Sequence, residues 1–306
     1  MCDRLRAIMT VMRASERTLQ TDDRLALVER RWLPDGDPKA FVVVVHGYAE
    51  HSGRYSHVAR ALTDAGYAVH AADLRGHGRS EGPRALVRSV DEFIADIERL
   101  MADARAEAGS RPVFLLGHSM GGTIVARYAL DGEPRPDGLV LSGAGLGGRT
   151  GPPVIGRLIA SVLSFLGRIA PRLPVTRLDS ALVSRDPAVV AAYDADPLVY
   201  RGRMKAGMLR ALVGGARDVL RGMERISLPL LILHGTEDGL TDPEGSRRLH
   251  ERAASTDKTL KLYDGLAHEI FNEPEQAAVL ADLVAWLDAR CATASHEAAA
   301  AGSGAQ

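Results

Sequence analysis

The sequence predicts an α/β fold, a mostly parallel central sheet wound on both faces by helices. Three observations carry this. Short apolar runs of strand length alternate with segments of helical period along most of the chain. Some of those runs, residues 40–45 above all, are apolar without a break, as strands buried on both faces are. The spacing between them suits a crossover helix returning to a parallel strand.

Taken in order, residues 26–32 read as an early strand and 40–45 as the first fully buried one. A helix over 57–65 is stopped by Gly66. The next strand, 67–72, ends at Asp73. Ser89-Val90-Asp91-Glu92 has the form of a capping box, and Val90, Phe93, Ile94, Ile97, Leu100 and Met101 then share one helical face. A strand over 113–116, a helix over 123–130 and a strand over 138–141 follow. Two more strands, 229–233 and 259–263, precede an amphipathic helix over 277–289 that closes the core.

The alternation breaks after Gly147. The stretch that follows is helical and interrupted by prolines, with no clear strand, and it lies between two core strands. It is therefore expected to cover the carboxyl edge of the sheet, where such folds place their sites. The expected division is core over 1–146, a helical cap over 147–205, core again over 206–290, and a disordered tail rich in Ala, Gly and Ser over 291–306.

Composition narrows the function classes. With 38 basic against 39 acidic residues, no positive excess directs the chain to nucleic acid. Cys2 and Cys291 lie near opposite ends and suggest neither a disulfide framework nor a zinc site. No H-E-x-x-H, Walker loop or Cys/His cluster is present, so metal chemistry is not implied. Residues 1–13 contain arginines and no long apolar run, which reads as no signal peptide, and no run is long enough to span a bilayer. The expectation is a cytoplasmic protein.

The chemistry starts at Gly117-His118-Ser119-Met120-Gly121, which follows a buried strand and opens a helix. Strand, G-x-S-x-G and helix make a nucleophile elbow, with the serine on a strained turn and its Oγ exposed. A serine hydroxyl is a weak nucleophile until a base takes its proton. In folds with this elbow the acid and then the histidine follow in the chain. Asp238 lies just past the strand Leu230-Leu231-Ile232-Leu233, with Glu237 and Asp242 as nearby competitors. His268 follows the last strand in Gly265-Leu266-Ala267-His268. His118 and His234 read as packed, hydrogen-bonded histidines. The oxyanion formed at the carbonyl needs two donors. The amide of Met120, directly after the serine, and that of Tyr48, in His46-Gly47-Tyr48 after the first buried strand, are the candidates.

Two further stretches were open to more than one reading. Gly143-Ala144-Gly145-Leu146-Gly147-Gly148 satisfies G-x-G-x-x-G, but Arg149-Thr150-Gly151-Pro152-Pro153 follows where a dinucleotide site needs a helix. It is read as a flexible hinge into the cap. Val154, Ile155, Leu158, Ile159, Val162, Leu163, Phe165, Leu166 and Ile169 form a wide apolar face. Such a face either packs into the core or belongs to a cap helix that lines an acyl pocket or lies in a lipid interface.

His46-Gly47-Tyr48-Ala49-Glu50-His51-Ser52-Gly53-Arg54-Tyr55, Asp73-Leu74-Arg75-Gly76-His77-Gly78-Arg79-Ser80 and the elbow resemble the monoacylglycerol lipase and lysophospholipase-like α/β-hydrolases. So do Leu178-Asp179-Ser180-Ala181-Leu182-Val183-Ser184-Arg185-Asp186, Tyr193-Asp194-Ala195-Asp196-Pro197-Leu198 and Tyr263-Asp264-Gly265-Leu266-Ala267-His268-Glu269. The resemblance runs from about residue 20 to 290. It implies the α/β-hydrolase fold, hydrolysis of monoacylglycerols to glycerol and fatty acid, no cofactor, and a triad of Ser119, Asp238 and His268. It also implies a glycerol end near Glu50, His51, Arg54 and Tyr193. Ile159 and Leu163 are then expected along the acyl chain, with the cap in contact with a lipid interface. Ala49 departs from the family, which often has a second glycine there. The rival readings are a broader carboxylesterase, lysophospholipase or acyltransferase on the same triad, and a peptidase whose substrate amino terminus meets Glu50. An inactive binding module is disfavoured by the intact Ser, Asp and His.

Overall fold

The computed structural model describes residues 12–147, 162 and 165–303, with side chains as far as residue 292. The chain opens with β1 (Arg13–Gln20), β2 (Ala26–Leu33), β3 (Ala40–Val45), α1 (Ser56–Asp64) and β4 (Tyr67–Ala72). It continues through α2 (Val90–Ala108), β5 (Val113–His118), α3 (Met120–Asp131) and β6 (Gly138–Ser142). After a helical turn at 165–169 come β7 (Pro174–Thr176), α4 (Pro187–Ala195), β8 (Met204–Lys205) and α5 (Ala206–Gly222). The last elements are β9 (Leu230–Gly235), α6 (Pro243–Arg252), β10 (Lys258–Tyr263) and α7 (Gln276–Ser303).

Eight strands form one sheet in the order β1-β2-β4-β3-β5-β6-β9-β10. Only β2 runs against its neighbours; the pairs from β4 through β10 are parallel. The central strands are apolar throughout because alternate side chains enter two cores. Val43, Val45, Leu115, Leu141 and Ile232 pack on one face with α2, α3 and α5. Val42, Val44, Phe114, Leu116, Val140 and Leu233 pack on the other, with α1 and with Val279, Leu283 and Trp286 of α7. The capping box at α2 is formed, with Ser89 and Glu92 each bonding the other's backbone. Burial of this kind is worth about 25 cal/mol per Å² of apolar surface, which makes the sheet a rigid platform for loops at its carboxyl edge.

Three features differ from the sequence reading. The strand β1 carries almost no apolar pattern, and only Leu19 on it is buried. Its backbone pairs with β2 along its length, and an edge strand held by ladder bonds needs no buried face. The pair β7–β8 sits inside the stretch read as strandless, since strands of two or three residues are too short to show a period. Helix α7 extends through Ser303, across most of the stretch expected as a disordered tail. Its alanines are the strongest helix formers, which composition read only as low complexity.

Candidate active site

The elbow is built as the glycine spacing requires. Ser119 follows β5 at φ 55°, a left-handed conformation that costs an L-residue roughly 1–2 kcal/mol, and α3 begins at the next residue. Strand and helix then approach too closely for side chains. A Cβ on Gly121 would lie 2.1 Å from the Val45 carbonyl oxygen, and one on Gly117 would lie 2.4 Å from that of Gly121. The Ser119 amide donates to Ser142 O at 2.8 Å, which ties the turn to β6.

His268, from the loop after β10, places Nε2 2.8 Å from Ser119 Oγ. Its Nδ1 lies 2.7 Å from Asp238 Oδ2, in the loop after β9. The competing acids are elsewhere: Asp242 caps α6 and Glu237 is exposed. Asp238 is buried, and its Oδ1 accepts from the amides of Leu240 and Thr241 at 2.8 Å each. Burial alone would raise its pKa. Hydrogen bonds from His234, His268 and Thr241 outweigh that and hold the carboxyl well below the usual range. It is therefore an anion facing His268, which is what orients the imidazole and stabilises it when it gains a proton.

His118 and His234 are packed and hydrogen-bonded. His118 Nδ1 lies 3.1 Å from Ser142 Oγ, and its ring centre is 4.8 Å from that of His268. Burial and the nearby His268 push His118 down to about 3, so it stays neutral beside the base. The described part of the G-x-G-x-x-G stretch, residues 143–147, is closely packed rather than a loose hinge. A Cβ on Gly143, at φ 53°, would lie 3.3 Å from His268 Nδ1 and 3.4 Å from Asp238 Oδ2. Glycine is required there by the acid–base pair, not by a dinucleotide.

The loop after β3 lies against the elbow: a Cβ on Gly47 would be 3.2 Å from that of Ser119. Among the described residues, the amides of Tyr48 and Met120 have no protein acceptor. Met120 opens α3, so the helix dipole adds to its amide. The Tyr48 ring is buried edge-on to His77 and Tyr200, at 6.0 and 6.4 Å between centres.

Glu50, His51, Arg54 and Tyr193 come together beside this loop, but largely by contacting one another. Glu50 is buried, with Oε1 accepting from Gly47 N at 2.6 Å and Tyr55 Oη at 2.8 Å, and Oε2 from Arg54 at 2.8 Å. Arg54 also makes a paired contact with Glu269 at 2.6 and 2.7 Å, and its guanidinium lies 4.7 Å from the centre of the Tyr193 ring. His51 Nε2 lies 2.8 Å from Asp196 Oδ2. Ile159 and Leu163, expected along the acyl chain, lie outside the described residues.

Sequence reasoning missed the supports. Thr241 donates to Asp238 Oδ2 at 2.7 Å, and Asp73 accepts from Ser52 N at 3.0 Å and from Arg30 at 2.6 Å. Asp73 is legible as the end of a strand and the start of a motif that carries the resemblance, but not as a support, and Thr241 carries no signal.

Residues 36–275 match the serine aminopeptidase S33 family. The chain is 45% identical over 256 residues to monoacylglycerol lipase of Mycolicibacterium smegmatis, across 84% of this chain and 90% of that one. It belongs to the monoacylglycerol lipase family of α/β-hydrolases. The crystal structure of the family's member from Paleococcus ferrophilus is similar at TM-score 0.75 and 36% identity, across 87% of this chain and 99% of that one. A soluble variant of monoglyceride lipase from Saccharomyces cerevisiae, solved with a substrate analogue, is similar at TM-score 0.80 and 25% identity, across 90% and 96%.

Within the monoacylglycerol lipase pattern, Ala49 stands where a second glycine is common. It sits at φ 71°, and its carbonyl accepts from Tyr200 N at 2.7 Å. The strained alanine is held by a backbone bond from the residues that follow α4.

Proposed function

We propose that this chain hydrolyses monoacylglycerols to glycerol and free fatty acid through an acyl-enzyme on Ser119. The observation that carries this is the line from Asp238 Oδ2 to His268 Nδ1 and from His268 Nε2 to Ser119 Oγ, at 2.7 and 2.8 Å, in a chain of this family. His268 takes the Ser119 proton as Oγ attacks the ester carbonyl. The amides of Tyr48 and Met120 receive the oxyanion. Collapse expels glycerol, protonated by His268, and leaves the acyl-enzyme. Water, deprotonated by His268, then attacks, and fatty acid leaves as Ser119 recovers its proton. Each step uses groups of the chain alone.

The stretch 147–205 is read as the cap, and an acyl chain held under it would gain about 0.8 kcal/mol for each buried CH₂. Phe165 and Ile169, each 62% exposed, with Val162 and Leu173, support contact between the cap and a lipid interface. No helix among the described residues is long and apolar enough to cross a membrane. The cluster of Glu50, Arg54 and Tyr193 frames the glycerol end. A peptidase would need a free carboxylate there for an amino terminus. Glu50 is committed to Gly47, Tyr55 and Arg54, and Glu269 to Arg54 and Asn272, which favours the ester reading.

An organophosphonate ester should label Ser119, and Ser119→Ala should lose several orders of magnitude of turnover. The discriminating measurement is kcat/KM for mono-, di- and triacylglycerols of equal chain length. Monoacylglycerol should lead strongly, since a site built to bond hydroxyls rejects analogues that lack them. Labelling of another serine would refute the nucleophile, and a triacylglycerol preference would refute the substrate.

A further inference from the structure

His234 is the penultimate residue of β9 and is fully buried, four residues before the acid, and the hydrolytic steps above give it no task. Its Nε2 lies 3.1 Å from Asp238 Oδ2, the same oxygen that meets His268 Nδ1. Its Nδ1 lies 2.7 Å from Ser246 Oγ, on α6. Thr241 Oγ1 gives its hydrogen to Asp238 Oδ2 and so accepts from the ring, which puts the ring hydrogen on Nε2. A neutral ring then leaves Nδ1 to accept from the Ser246 hydroxyl. Thr241 Oγ1 is 2.7 Å from Asp238 Oδ2 and 3.2 Å from His234 Nε2, so it packs into the same corner.

We propose that His234 is a positioning residue for the reaction: Ser246 fixes its tautomer, and its Nε2–H, bonded to Thr241 Oγ1 and set against Asp238 Oδ2, holds that oxygen in line with His268. The inference rests on the serine hydrolase reading above. Oδ1 is already held by the amides of Leu240 and Thr241, so a donor on Oδ2 removes the remaining freedom of the carboxylate to swing away from His268. The same donor draws charge from Oδ2 and limits how strongly Asp238 favours the imidazolium. His234 is also foremost among the donors that keep the acid ionised against its burial. The ionisable groups that bear on Asp238 are His234 and His268, and His118 packs against His268.

The test uses the full chain and a soluble short-chain aryl ester, so that acyl and cap contacts contribute little. Active sites are counted with the phosphonate probe, and melting is followed separately. His234→Leu should lower kcat per counted site by roughly 10- to 100-fold, as loss of an orienting partner does elsewhere, with KM little changed. The midpoint of the acidic limb of the kcat/KM profile should move to higher pH, because Oδ2 regains charge facing His268. His234→Gln keeps an N–H toward Asp238 and should restore most of kcat and the original midpoint. Ser246→Ala does not touch Asp238, so its weaker shift in the same direction must pass through His234 and should vanish in the His234→Gln background. Unchanged kcat per site and midpoint in His234→Leu, with only lowered melting, would show a purely structural histidine and overturn the proposal. So would Ser246→Ala acting equally in both backgrounds, a comparison that decides the matter if His234→Leu yields no countable sites. A chain in which the probe misses Ser119 refutes the hydrolase reading instead.

Discussion

The loop after β9, which carries Asp238, and the loop after β3, which carries the Tyr48 amide, approach Ser119 from strands on either side of β5, yet they are held by different parts of the molecule. The acid is fixed by its own strand and turn: Leu240 and Thr241 bond its carboxylate, and His234 lies against it and bonds Thr241. The other loop is fixed from below by Glu50 and from the side by residues 193–200. Tyr200 N bonds Ala49 O, Asp196 bonds His51, and Tyr193 lies under Arg54. The proposed proton-transfer half of the site is thus held by the sheet edge itself. The proposed oxyanion half is completed only with residues 193–200 in place. Displacing that segment should weaken stabilisation of the oxyanion while leaving the base competent.

Replacing the acid should give the largest change. Asp238→Asn leaves His268 facing an amide that favours the wrong tautomer, and kcat should fall by about 10⁴-fold with little change in KM for a soluble ester. A fall no larger than that of a surface variant would mean that another group orients His268.

The oxyanion loop should instead register mainly as stability. Arg54→Ala strands the buried carboxylates of Glu50 and Glu269, whose side chains are 4% and 6% exposed. Breaking a buried pair this way costs roughly 3–5 kcal/mol, or about 5–8 °C in melting for a chain of this size. Arg54→Lys, which keeps the charge but not the planar fork, should fall between. If melting is unchanged by Arg54→Ala, the loop is braced by the cap alone.

The smallest effect is a pH dependence shared by both halves. His118 beside the base and His77 near the oxyanion loop are each pushed down to about 3, in both cases chiefly by burial. An unfolded histidine takes a proton near 6.5, so between that value and about 3 the unfolded chain binds protons that the folded chain refuses. Stability is therefore full above about 6.5 and drains as pH falls toward 3. Melting temperatures from pH 7 to 4 should decline, and His118→Asn should flatten the decline by up to one proton, about 1.4 kcal/mol per pH unit. An unaltered slope would place the acid sensitivity elsewhere.

The parts legible in the sequence are those written in local spacing. The glycines around Ser119, the unbroken apolar strands, the capping box of α2 and the placement of Asp238 and His268 after strand ends each depend on a few consecutive residues. Backbone sterics and burial leave little choice at such positions, so the buried parallel strands could be read directly, as could the three residues that the fold brings together as Ser119, His268 and Asp238. What only the tertiary structure decided is who touches whom across the sheet edge. Glu50 and Arg54, proposed for the glycerol end, are joined by the fold to each other, to Gly47 and to Glu269, which no local spacing indicates. His234, Ser246 and Thr241 looked like ordinary packing and converge on the acid. A glycine run that resembled a cofactor loop leaves room for His268 and Asp238. Hydrogen bonds and ion pairs between distant segments follow no period, because the partner is set by where the packed sheet brings each loop and not by the residues adjacent in the chain.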